Sequence, residues 1–197
     1  MWESERPYTA KMSVYIMKKP RAVIINPDGT ATVVLTRGFV AVIDAEDAEI
    51  AAAYNWSFRP THAGRGYAYR AIDSGKQAFS LHGSVFRGEV PDGLVLDHKD
   101  GDGLNCRKEN LRIATRGQNK TNGPGHRGRK GQYKGVVETA AGRFVASIQV
   151  DRQIFRLGRF NTAEEAARAY DAAARKHFRE FAWCNFPLTC EDEVLNA

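Results

Sequence analysis

The chain has 197 residues, a formal net charge of +6, a pI near 9.3 and 43% hydrophobic residues. That length allows one large domain or two small ones, the apolar share is enough for a packed core, and the positive balance favours a polyanionic partner without fixing a fold. The cysteines are odd in number (Cys106, Cys184, Cys190) and no pair has Cys-x-x-Cys spacing, which excludes a disulfide framework or Cys-rich zinc site and fits a reduced, cytoplasmic setting. The first stretch, "MWESERPYTAKMSVYIMKKP", carries Glu3 and Glu5 and does not read as a secretory signal. No apolar run approaches the ~20 residues needed to span a bilayer, so no membrane partner is expected.

In chain order, residues 1–20 read as a flexible N-terminus. "AVIINPDGTATVVLTRGFVAVID" (22–44) alternates β-branched residues around a Pro-Asp-Gly turn and predicts a hairpin with a further strand. "AEDAEIAAAYNWSF" (45–58) predicts a helix with Ile50, Ala53, Tyr54 and Trp56 inward. "GYAYRAI" and "KQAFSL" predict two more strands. "LVLDH" (94–98) and "NLRIAT" (110–115) predict a strand pair joined by a Gly- and Asp-rich loop. Thr115 and Gln118 form a T-x-x-Q capping box, so a short helix carrying Asn119 begins near Arg116.

"NGPGHRGRKGQ" (122–132) keeps no apolar period and reads as a basic, flexible linker, with His126 solvated, that lets two domains fold separately. Beyond it, "YKGVVET", "RFVASIQV" and "IFRLGRF" predict a three-stranded antiparallel meander. A helix follows, capped by Thr162 and Glu165. Ala163, Ala166, Ala167, Tyr170, Ala173, Ala174 and His177 recur at helical spacing and give it one small-residue face against the sheet, with Tyr170 and Phe178 in the core.

The strand, loop, strand and helix of 94–121 bring Asp97, His98, Asn110 and Asn119 towards one another, with spacing H-x11-N-x8-N. A carboxylate and an amide oxygen are hard ligands suited to Mg²⁺ or Mn²⁺, and a free imidazole beside such an ion can take a proton from water. That is equipment for metal-assisted phosphodiester hydrolysis. Asp97 and Asn119 also read as turn and cap residues, and His82 as either a core histidine or a contact to a substrate phosphate.

On these residues, 81–122 resemble the HNH endonuclease motif, the ββα-metal fold, in the form common in phage and homing enzymes. "LHGSVF" matches its leading Leu-His segment, "DHKDGDGLNCRKENLR" its core and "ATRGQNKTN" its closing helix. The resemblance implies that His98 is the general base, that Asp97 and Asn119 hold the metal, and that Asn110 braces the loop and orients the His98 ring. Two positions depart from the pattern. Asn119 stands where the name-giving motif has His, which favours a hard ion over zinc. Cys106 stands where the family often has a second Asn, which costs a loop hydrogen bond.

"YKGVV", "GRFVASIQV", "LGRFNTAEEAARAYDAAARKHF" and "NFP" within 133–187 resemble, in order, the AP2/ERF DNA-binding domain. That family lays its sheet in the major groove of double-stranded DNA, which makes Lys134, Arg143, Gln149, Arg152, Arg156 and Arg159 the candidate DNA contacts. Plant members usually carry Arg after "GV" and Trp before "LG"; Val137 and Arg156 stand here, so their base preference does not transfer. Arginine reads guanine bidentately but also clamps phosphate.

The expected architecture is therefore α+β. A nuclease domain with an N-terminal β-rich lobe (21–121) is linked (122–132) to a small three-stranded sheet with one packed helix (133–187), followed by a tail (188–197). The expected activity is phosphodiester cleavage in DNA, in a bacterial host cell if phage-encoded, with oligomeric state open. A DNA-binding regulator with an inactive nuclease core remains the alternative. An RNA-directed protein is disfavoured by the lack of an aromatic-rich platform.

Overall fold

The computed structural model describes residues 21–61, 65–72, 77–123 and 133–186; the predicted N-terminus, the linker beyond Gly123, His126, Cys190 and the tail lie outside them. The architecture is mixed α+β with small antiparallel sheets. No described helix is long and apolar enough to cross a membrane.

The first sheet holds β1 (Val23–Ile25), β2 (Thr30–Val34) and β3 (Val40–Asp44). Its first turn is the Pro-Asp-Gly one: Gly29 takes φ +82°, and the Asp28 carboxylate accepts from the Thr30 backbone and hydroxyl at 3.0 and 2.7 Å. The helix expected over 45–58 is shorter. It divides into a 3₁₀ turn (Ala45–Asp47) and α1 (Ala48–Ala52), and the chain then enters β4 (Ser57–Pro60). The cause is Trp56, whose buried indole donates to the Ala51 carbonyl at 2.9 Å and closes the helix end. Ala51 and Trp56 fill the core, whereas Tyr54 faces out beneath the Arg70 guanidinium, 3.7 Å from its ring centre.

β4, β5 (Gly66–Ile72) and β6 (Gln77–Ser80) form a second sheet, and α2 (Leu81–Val85) follows, capped by the Ser80 hydroxyl. Leu81 and Val85, at i and i+4, are fully buried with Ala31, Val33, Ile43, Trp56 and Ala68 in one apolar cluster. β7 (Leu94–His98) pairs with β8 (Leu111–Thr115), and α3 (Arg116–Thr121) starts at the Thr115/Gln118 capping box.

In the C-terminal unit, β9 (Val136–Glu138), β10 (Phe144–Val150) and β11 (Gln153–Phe160) form a sheet of order β11-β10-β9. Asp151 and Arg152 both take positive φ (47° and 68°), the two-residue turn that matches hairpin twist. α4 (Ala163–Phe178), with the Thr162/Glu165 box at its start, packs Ala166, Ala167, Tyr170 and Ala174 on one face of the sheet. Gly135, at φ +79°, is required there: a Cβ would stand 1.9 Å from the Tyr170 ring. His177 is exposed and its ring stacks with Phe155 at 6.2 Å.

The two units touch, so the linker is not their sole connection. Arg112 of β8 donates to the Glu180 carbonyl at 2.5 Å, and its guanidinium lies 3.9 Å from the Phe181 ring centre. Trp183 lies beneath Arg65 at 5.0 Å and against Gly101, where a Cβ would come within 2.7 Å of the indole.

Candidate functional site

Two main-chain hydrogen bonds and one side-chain acceptor bring the motif loop to the N-terminal lobe. The β3 residue Val42 donates to the Leu104 carbonyl at 2.9 Å and accepts from the Cys106 N–H at 2.8 Å, so the loop adds a short parallel bridge to that strand edge. Asp44 then accepts from the Lys108 N–H at 2.8 Å. The lobe is therefore the template on which the loop following His98 is laid down.

Asp97 and His98 end β7 and are both buried, at 4% exposure. A buried carboxylate needs partners. Arg112, directly opposite on β8, ion-pairs with Asp97 Oδ2 through Nε at 2.9 Å. Asn122 Nδ2 reaches Oδ1 at 3.2 Å, Oδ2 at 3.0 Å and the His98 carbonyl at 2.7 Å. Asn122, read from sequence as the head of the linker, is thus a buried member of the site.

Asn119 is carried on α3 and, with Asp97, His98 and Asn122, lines a cleft of about 120 Å³ that Tyr67, Arg65 and Gly101 also border. Asp97, His98 and Asn119 are therefore brought together. Asn110 is not at the cleft. Its amide donates to Asp100 Oδ1 at 2.9 Å and to the Asn105 carbonyl at 2.8 Å, and its Oδ1 accepts from the Asp100 N–H at 3.1 Å. These bonds brace the loop, but none reaches the His98 ring, whose orientation the resemblance assigned to Asn110. The ring's neighbours are Tyr67 and His82, with centroids 5.7 and 4.8 Å away.

His82 sits on α2 in contact with His98 and Tyr67 and is not among the residues that line the cleft. Burial, then the nearby His98, holds its pKa down at about 4. Burial likewise holds His98 at about 4, partly countered by Asp100. Both rings are neutral at neutral pH, the form in which an imidazole accepts a proton. Burial pushes the Tyr67 hydroxyl above its usual range. His98 Nε2 and His82 Nδ1 are buried without a hydrogen-bond partner among the described residues.

The candidate DNA contacts divide into three settings. Directly paired residues share a sheet face. Ser147 pairs with Arg156, Val145 with Arg159 and Gln149 with Ile154, with a bulge at Ala146/Ser147. Since Ala146 and Ile148 face α4, Gln149, Arg156 and Arg159 lie on the opposite, open face with Val137 and Ile154, which are 61% and 70% exposed. Arg143 and Arg152 are exposed at the two hairpin turns, and the Arg143 Nε donates to the Phe160 carbonyl at 3.3 Å.

Lys134 differs from the sequence expectation. It precedes β9, and its ammonium donates to the carbonyls of Thr121 and Gly123 at 2.7 and 2.6 Å. Its main chain is held by Asn185, which Asp171 fixes in turn, and burial lowers its pKa to about 8. It fastens the C-terminal unit to the end of α3 instead of facing outward.

Sequence reasoning missed Arg112 and Asn122 as partners of Asp97. Both were inside quoted motif segments, "NLR" and "QNKTN", and the only available signal was that a buried carboxylate demands them.

The HNH endonuclease family model matches residues 84–121, a span that includes Asp97, His98, Asn110 and Asn119 and excludes His82. An uncharacterized HNH endonuclease of Acanthamoeba polyphaga mimivirus is 26% identical over 148 residues, 74% of each chain. Over a separate stretch, an AP2/ERF and B3 domain-containing transcription factor of Arabidopsis thaliana is 45% identical over 62 residues, 32% of this chain and 18% of that protein. An ethylene-responsive transcription factor of Nicotiana tabacum is 48% identical over 59 residues, 26% of its length. The chain thus spans about a quarter or less of these plant relatives; a segment that matches the HNH endonuclease family model is followed by a separate stretch similar to AP2/ERF proteins.

Proposed function

We propose that this chain is a metal-dependent DNA endonuclease that hydrolyses phosphodiester bonds and is held on double-stranded DNA by its C-terminal sheet. The observation that carries the reading is the shared cleft of Asp97, His98 and Asn119 inside the segment matched by the HNH family model. His98 accepts the proton of the attacking water, and its low pKa keeps it neutral and available.

The donors fit a hard divalent ion. Among the described residues Asp97 Oδ1 accepts from Asn122 alone, which leaves a lone pair for an ion, while Oδ2 takes both Arg112 and Asn122. Asp97 and Asn119 would hold Mg²⁺ or Mn²⁺, which when bound would polarise the scissile phosphate and stabilise the leaving 3′ oxygen. Arg112 and Asn122 orient the carboxylate, and Asn110 fixes the loop that follows His98. Gln149, Arg156 and Arg159 grip the DNA, with Arg143 and Arg152 at the margins. A phage, homing or other virus-borne setting agrees with the viral source of the mimivirus relative.

A second reading, a DNA-binding regulator with a silent nuclease core, draws on the Arg112 ion pair that already neutralises Asp97. Incubation with supercoiled plasmid decides between them. The proposal expects open-circle or linear product with Mg²⁺ or Mn²⁺ and none in EDTA. Intact plasmid with both ions, while the DNA is bound, supports the regulator.

A further inference from the structure

Next to the cleft, and sharing His98 with it, lies a second cluster that the proposed reaction uses only in part. A ligand atom of His82, one of His98 and the Cys106 thiol lie within 4.8 Å of one another. Cys106 is fully buried and His98 is 4% exposed. Buried ring nitrogens without partners are uncommon because each forfeits a hydrogen bond made in water, and His82 and His98 contribute one each. An unprotonated imidazole nitrogen offers one lone pair to a metal ion. Burial pushes the thiol up to about 12, and the charges of Asp102 and Asp100 push in the same direction. Those carboxylates disfavour a bare thiolate but favour a cation beside it.

Two imidazoles and a thiolate are a ligand set for a borderline-soft, tetrahedral cation, with the fourth position open. Bond lengths of about 2.0–2.3 Å call for a ligand separation shorter than the spread seen here by about an ångström. Hard Mg²⁺ has little affinity for a thiolate and keeps to oxygen ligands.

We infer that His82, His98 and Cys106 form an inhibitory site for a thiophilic divalent cation such as Zn²⁺, separate from the oxygen ligands Asp97 and Asn119. On binding, the cation takes one lone pair from each imidazole and the thiolate pair of Cys106, and the thiol proton leaves to solvent. Ligated His98 has no lone pair for water, so cleavage stops; this half of the inference rests on His98 being the general base. The cysteine makes the enzyme responsive to zinc where an asparagine would not.

The test uses full-length protein carrying Cys184→Ser and Cys190→Ser, which leaves Cys106 as the remaining thiol. EDTA-stripped protein is titrated with Cd²⁺, reading the ultraviolet thiolate-to-metal band and proton release in weak buffer. The inference expects a band that saturates at a single equivalent with one proton released, and its loss on adding Cys106→Ser. In parallel, Zn²⁺ is titrated into the Mg²⁺-supported plasmid reaction. Cys106→Ser should cut with Mg²⁺ as its parent does and need at least ~10-fold more Zn²⁺ for inhibition, since even outer-shell ligand changes cost that much. No thiolate band in the folded parent overturns the site, even if Cys106→Ser fails to fold. A band without inhibition of a cutting enzyme overturns the inhibitory role. A parent that never cuts defeats the nuclease reading, while the Cd²⁺ band still decides the site.

Discussion

The two polar clusters of this chain are built in opposite ways. Around His98 the groups are buried and fixed: Asp97 is held by Arg112 and Asn122, Asn110 by Asp100 and Asn105, and the His98 ring by Tyr67 and His82. On the C-terminal sheet, Gln149, Arg156 and Arg159 are exposed and stand beside the exposed Val137 and Ile154. Chemistry at one phosphodiester needs a few atoms held to a fraction of an ångström, which burial and bonding supply. Gripping a long polyanion needs reach and charge, which flexible surface arginines supply. On the proposed function, burial of polar side chains therefore separates the reacting site from the holding site within one basic protein.

If that contrast is right, damage should differ in kind. The largest stability effect is expected for Arg112→Met, which leaves the buried Asp97 carboxylate without its cation and frees the Glu180 carbonyl. Removing one partner of a buried pair costs about 3–5 kcal/mol; urea unfolding should show it. A loss under ~1 kcal/mol would mean that Asp97 behaves as a surface charge.

Acid should also single out the buried cluster. His82 and His98 are held at about 4 in the folded chain, against about 6.5 for an exposed imidazole. Between these values the unfolded chain binds protons that the folded chain refuses. Stability is thus complete above pH ~6.5 and falls as pH drops towards 4, by up to about 1.4 kcal/mol per pH unit for each ring. Denaturant midpoints taken in EDTA across this range check it; a flat profile would contradict the burial of both rings.

The smallest effect sharpens the sheet side. Arg156→Ala should lower the log–log salt slope of DNA binding by about 0.9 if it contacts one phosphate, whereas Lys134→Met should leave that slope unchanged because its ammonium is spent on the Thr121 and Gly123 carbonyls. Filter binding over a salt series distinguishes them. A slope lowered by Lys134→Met as much as by Arg156→Ala would return Lys134 to the DNA-facing group.

Local signals in the sequence were enough for much of the scaffold. The T-x-x-Q and T-x-x-E boxes mark the starts of α3 and α4, because a hydroxyl and an amide or carboxylate three residues apart satisfy the same exposed N–H groups. Alternation around the Pro-Asp-Gly turn and through 144–160 marks the strands. Long-range requirements were not legible. Asn122 follows a helix end and precedes glycine, so it reads as linker until Asp97, 25 residues earlier, arrives beside it. Arg112 alternates like any outward strand residue until the 180–181 segment covers it. Lys134 looks like one more sheet cation, and the Trp56 indole that shortens α1 acts over five residues without a motif. The cleft group Asp97, His98 and Asn119 was accessible because a strand end and a helix first turn have few ways to meet across a two-stranded pair.

The division of labour between the two units is tested most directly by measuring binding and cutting together on one labelled duplex library. Three proteins are compared in Mg²⁺: the parent, His98→Ala, and Arg156→Ala/Arg159→Ala. The account predicts that His98→Ala binds as the parent does but cuts about 10²–10⁴-fold more slowly. It predicts that the double arginine variant binds more weakly, with a shallower salt slope, yet cuts at near-parental rate once enzyme is saturating. His98→Ala cutting within a few-fold of the parent, or the arginine variant binding with parental affinity and salt slope, would contradict it.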